Sequence, residues 1–83
     1  MFHTYILKSK INNNYYIGSC NDLSKRIKLH NSGLVRSTKR YLPWTLIYSE
    51  NFENLSSARK REGQIKSWKS RKMIKKLIEH YKI

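Results

Sequence analysis

Eighty-three residues provide for one domain with a small core, and 18 Lys and Arg against five Asp and Glu leave a formal charge of +13. Self-repulsion of that size works against a compact chain and calls for a polyanionic partner, nucleic acid before an acidic membrane surface. No apolar run approaches membrane-spanning length, and one Cys with three scattered His excludes both an internal disulfide and a zinc cluster.

In chain order, "FHTYILKS" (2–9) and "YYIGS" (15–19) predict two short strands joined by the polar turn "KINNN". In a hairpin with an even-numbered loop, antiparallel parity puts Tyr5 and Tyr16 on the same sheet face. Asn21 or Asp22 then caps a helix running to about Asn31, with Leu23 and Ile27 inward and Gly33 as its stop. "WTLIYSENF" (44–52), set off by Pro43, predicts a third strand. A second helix is expected from about Leu55 to Trp68 and a third from Ser70 to the C-terminus. The third carries an apolar stripe of Met73, Ile74, Leu77, Ile78 and Tyr81 opposite a Lys- and Arg-rich face. There are no linkers, repeats or low-complexity tracts, so the chain reads as one αβ unit over 1–83. The first residues carry no signal-peptide pattern and the lone Cys20 fits a reducing compartment, so a cytoplasmic location is expected.

The second helix holds an anomaly. Leu55, Ala58, Glu62 and Ile65 follow the three–four spacing of a buried face, so a carboxylate falls where an apolar residue is expected. An unpaired buried charge is costly, and Glu62 therefore needs a salt bridge or a metal ion. Periodicity alone favours a salt bridge to one of the arginines. The other acids, Asp22, Glu50, Glu53 and Glu79, read as caps or solvated positions, which leaves too few carboxylates for a two-metal centre. A single ion on Glu62, completed by water and phosphate oxygens, suits Mg²⁺. Arg26 and His30 lie one turn apart on the first helix and project from the same side. Arginine is a natural phosphate clamp and histidine can move a proton near neutral pH. Each also has an ordinary reading: Arg26 as one exposed cation among eighteen, His30 as a helix-end residue on the last carbonyls.

The ordered set "TYIL", "YIG" (16–18), "DLSKRIKLHNSG", "PWTLIYSENF" and "ARKREGQIKSWK" resembles the GIY-YIG endonucleases of the short, single-domain kind over nearly the whole chain. It departs in the first motif, where His3 and Thr4 stand in place of the name-giving Gly and Ile, and in lacking an asparagine after the glutamate helix. The resemblance implies an α+β fold with a small three-stranded antiparallel sheet flanked by helices. It implies metal-dependent hydrolysis of DNA phosphodiesters, in repair, recombination or processing. Glu62 would hold one Mg²⁺ or Mn²⁺ and Arg26 would bind the scissile phosphate. Tyr5 and Tyr16 would line the site, one of them activating or positioning water. His30 would relay a proton or contact phosphate, and Gly18 would keep the strand end open for close backbone approach. Lys25, Arg36, Lys39, Arg40, Lys66 and Lys69 would contact the DNA backbone with low sequence specificity. Two other readings compete: a non-catalytic nucleic-acid-binding domain on the same scaffold, and a metal-free ribonuclease, which needs two convergent histidines.

Overall fold

The structure is a computed structural model and describes residues 1–81, with side chains to His80. Strand β1 (Phe2–Ser9) lies between β2 (Tyr15–Cys20) and β3 (Trp44–Phe52), and both pairings are antiparallel. The central position follows from sequence: Thr4, Tyr5, Ile6 and Leu7 form an unbroken buried run, as a strand covered on both faces requires. The edge strands are less buried.

Alternation along β1 divides the interior in two. Ile6, with Ile17 and Tyr48, packs beneath α2 (Leu55–Ser67) and α3 (Arg71–Tyr81) through Ile65, Ile74 and Ile78. Tyr5 and Leu7 face the other way, where Trp44 and the half-buried Leu23 and Ile27 of α1 (Leu23–Asn31) cover them. The helix starts are set by side chains that accept otherwise orphaned amides, Asp22 from Lys25 N at 3.0 Å and Asn54 from Ser57 N at 2.8 Å. Past α1, Gly33 sits at φ +81°, a conformation that favours glycine. Among the described residues, no helix is long and apolar enough to cross a membrane.

Element bounds agree with the expected ones to within a residue, except that the end of α3, expected at the C-terminus, lies outside the described residues, and three features differ. A single 3₁₀ turn, Lys39–Tyr41, breaks the connection from α1 to β3. Met73, expected in the apolar stripe of α3, is 45% exposed, because the buried seam is carried by Ile74 and Ile78; the Tyr81 side chain lies outside the described residues. Glu50 is not a solvated acid. It accepts from Arg61 Nε at 2.9 and 3.2 Å and from the Tyr48 hydroxyl, while Arg61 lies 5.7 Å from the Trp68 ring centre. It shares the α2-facing side of β3 with Tyr48, and the arginine of α2 neutralises it there.

Gly63 gives α2 a testable weakness. A Cβ built at this exposed helical position meets nothing within 4 Å. Gly63→Ala is expected to stabilise the fold by about 1 kcal/mol, from helix propensity alone, in urea unfolding. A loss of stability would show that an unseen close approach requires the glycine.

Candidate active site

Register brings the first part of the site together. Tyr5 pairs with Gly18 and Leu7 with Tyr16, so both tyrosines stand on the α1 side of the sheet, with ring centres 6.4 Å apart. The Tyr5 ring lies across Gly18. A Cβ there would come 2.5 Å from the Tyr5 hydroxyl oxygen and 2.7 Å from Cζ, closer than any real Cβ contact, so the glycine is the seat of the tyrosine. At the far end of α1, His30 is fully buried, with its ring 4.8 Å from that of Tyr16. Its Nε2 is 2.9 Å from the Tyr5 hydroxyl and its Nδ1 is 2.9 Å from Thr38 Oγ1. Burial, assisted by the charge of Arg26, holds the His30 pKa below its ordinary value, so the ring is neutral at neutral pH. With no exposed surface, His30 has no face to offer a phosphate, and it is not the helix-end residue bound to carbonyls that its position suggested.

Arg26 is half-buried one turn earlier. Its guanidinium stands close to the Tyr5 hydroxyl and lowers the tyrosine pKa, but burial is the larger influence and pushes it up to about 12. The Arg26 Nε is shielded from solvent and has no hydrogen-bond partner among the described residues. Such an orphaned donor is uncommon in a folded protein. The rest of the side chain lines an open cleft of about 460 Å³ at the end of β2, together with Ser19, Asp22, Lys25 and Leu55 and with Arg59 on the opposite helix.

Glu62 belongs to the other face of the sheet. Its side chain is 22% exposed, and it accepts from Ser19 Oγ at 2.6 Å and from Lys66 Nζ at 2.6 Å. The salt-bridge partner is thus an exposed lysine one turn along the same helix, not an arginine. Burial is the largest single influence on Glu62 and opposes ionisation. Lys66, Ser19 and the charge of Arg59 together outweigh it and hold the carboxyl below its usual range. Ser19 both lines the cleft and bonds Glu62, so the carboxylate stands behind the cleft wall. Among the described residues, no group of three or more His, Cys, Asp or Glu could hold a metal ion. An ion here would rely on Glu62 and on non-protein oxygens.

The expected DNA contacts fall on several elements. Lys25 lines the cleft, whereas Lys66 and Lys69 line a separate hollow between β2 and the α2–α3 corner. Arg36, Lys39 and Arg40 are exposed on the connection from α1 to β3.

A family model described as the GIY-YIG catalytic domain matches residues 1–77. The chain belongs to the GIY-YIG family. This is a family of nucleases. The chain is 38% identical over 78 residues to a UPF0213 protein of Staphylococcus saprophyticus, covering 93% of this chain and 94% of that one. It is 45% identical over 67 residues to a UPF0213 protein of Clostridium perfringens, covering 80% and 71%. The solution NMR structure of a UPF0213 protein from Bacillus halodurans matches with a TM-score of 0.60 at 30% identity, covering 95% of this chain and 84% of that one. The departure in the first GIY-YIG motif has a local role here: Thr4 is fully buried and its hydroxyl donates to the Ala58 carbonyl at 2.6 Å, tying β1 to α2.

Sequence reasoning missed Ser19, which links the cleft to Glu62, and Thr38, which holds the far side of His30. Neither carries a periodic or motif signal of its own. Their roles come from contacts 43 residues away for Ser19 and eight for Thr38.

The neutral His30 has a thermodynamic consequence. An unfolded imidazole takes up its proton near pH 6.5, the folded one only at lower pH, so below about 6.5 the unfolded state binds more protons. Stability should hold steady above that pH and decline as pH falls through it, which urea melts at about pH 7.5 and about pH 5.5 would show. An NMR titration midpoint for His30 at or above the free value would contradict this.

Proposed function

We propose that the protein is a metal-dependent DNA endonuclease that hydrolyses phosphodiester bonds in the cleft at the end of β2. The observation that carries this reading is Arg26: it stands beside a buried tyrosine and lines a cleft with Lys25 and Arg59. A planar, permanently charged fork held in that way suits a phosphate whose charge grows in the transition state.

Glu62 fits a hard divalent cation. It is a carboxylate kept ionised, and its oxygens are occupied by a hydroxyl and by an exposed ammonium that can swing away. Together with Ser19 Oγ it offers the all-oxygen donor set that Mg²⁺ or Mn²⁺ accepts alongside water and phosphate oxygens. When bound, the ion would polarise the phosphoryl group and its own water. The tyrosines divide the remaining work. Tyr5 is fully buried with its pKa at about 12, so it serves as the anchor of Arg26 and not as a base. Tyr16 is only half-buried on the same face, its ring centre 6.4 Å from that of Tyr5, so it is the tyrosine suited to position the attacking water. His30 acts behind the scene of reaction by holding the Tyr5 hydroxyl. Lys25, Arg36, Lys39, Arg40, Lys66 and Lys69 supply backbone contacts with little sequence preference, on DNA in the cytoplasm undergoing repair, recombination or processing.

Cleavage of plasmid and RNA with Mg²⁺, Mn²⁺ or EDTA tests the reading. DNA cutting is expected with either metal and none with EDTA. Arg26→Ala should lower the single-turnover rate by about 10²–10³-fold while DNA affinity changes only slightly, and Arg26→Lys should recover part of the loss. Glu62→Gln should fold, bind DNA and not cut; losing its exposed pair with Lys66 should cost no more than about 1 kcal/mol. A folded Glu62→Gln protein cutting at the parental rate would falsify the metal role. Binding itself should weaken steeply with salt as several phosphate contacts release counterions, and a flat log–log dependence would remove nucleic acid as the main partner.

A further inference from the structure

A neutral imidazole carries one N–H, and its position decides which ring nitrogen donates and which accepts. At His30 the choice is made from behind. Thr38 is fully buried, and its Oγ1 lies 2.9 Å from His30 Nδ1 and 3.4 Å from the Val35 carbonyl, to which it donates. The Val35 carbonyl, which also accepts from Thr38 N at 3.1 Å and Lys39 N at 3.0 Å, can only accept, so with the Thr38 hydroxyl hydrogen turned to it the Thr38 oxygen is left to accept from Nδ1–H. In that tautomer Nε2 is bare and accepts the hydrogen of the Tyr5 hydroxyl, 2.9 Å away. The Tyr5 oxygen then turns its lone pairs to Arg26, whose guanidinium has donors only. In the opposite tautomer Nε2–H would take up the Tyr5 oxygen, and the phenolic hydrogen would be driven toward a cation. Thr38 is itself fixed, since Trp44 Nε1 donates to its carbonyl at 2.8 Å. The Trp44 backbone is in turn bracketed by Asn31, which accepts from Trp44 N at 2.7 Å and donates to Trp44 O at 3.0 Å.

We propose that Thr38 is a positioning residue for the phosphate clamp: by fixing the Nδ1–H tautomer of His30 it orients the Tyr5 hydroxyl, and so holds the Arg26 guanidinium at the cleft. The last link rests on the reading of Arg26 as that clamp. The tautomer does not, and it can be read without any nuclease activity.

Nitrogen-15 NMR of the imidazole in the free protein is the first measurement. Wild type and Thr38→Ser should both show His30 as Nδ1–H. Thr38→Val keeps the shape and removes the acceptor, and should shift His30 to Nε2–H. Single-turnover cleavage by the same three proteins is the second. Thr38→Val should fall by about 10- to 100-fold, the range seen when a partner that orients a functional group is lost, with DNA affinity held and Thr38→Ser close to wild type. An Nε2–H tautomer in wild type overturns the proposal with no variant needed, even if Thr38→Val fails to fold. So does a Thr38→Val protein that changes tautomer and still cuts at the parental rate. If no protein of the set cuts DNA, the nuclease reading falls, while the tautomer series still decides what Thr38 does to His30.

Discussion

Tyr5 occupies the central strand, where side chains have no solvent on either side, and its ring has room only because Gly18 stands opposite. The rest of the site follows from that placement. A phenol enclosed in this way needs partners for its hydroxyl, since an unmet polar group in a dry interior is expensive. Helix α1 provides them one turn apart, Arg26 and His30, on the face it must turn to the sheet to bury Leu23 and Ile27. Packing and electrostatics are therefore one problem here. The same helix face that closes the smaller core delivers a cation to the cleft and a neutral ring to the interior.

The sheet also separates the two halves of the chemistry. Arg26 and the tyrosines lie on one side, Glu62 on the other, and the only place they can approach each other is where a strand runs out. Strand β2 ends there. Its consecutive residues alternate: Gly18 receives Tyr5, Ser19 reaches Glu62 and the Ala58 carbonyl, and Cys20 packs back toward the α1 side. The cleft opens at this terminus, lined by Arg26 from α1 and by Leu55 and Arg59 from α2.

Much of this was legible in the sequence. Period-two and period-three-four patterns gave the strands and helices, because burial on one or two faces writes itself directly into residue order. Parity alone placed Tyr5 and Tyr16 together, and the anomaly at Glu62 marked a carboxylate that would need partners. What could not be read was which partners. Lys66 was one of 18 cations, and nothing local distinguishes it from the arginines that periodicity favoured. The burial of His30 was equally hidden, for it depends on the irregular segment 32–43 folding back so that Thr38, held by Trp44, meets the ring. That segment has no periodicity, and its shape is set by contacts with α1 and β1, such as the bond from Ser9 Oγ to the Tyr41 carbonyl.

Asn31 also bears on how the molecule avoids its own kind. Strand β3 is an outer strand, and its backbone groups on the side away from β1 would serve as a template for another chain. At Trp44 both of those groups, the N–H and the C=O, are taken by the one side-chain amide of Asn31. A primary amide offers a C=O and an N–H on one edge, as a single strand residue does toward its neighbour, so Asn31 imitates one rung of a neighbouring strand that is not there. The ladder is closed at its first step, and a foreign strand seeking to add itself along β3 meets that position already filled.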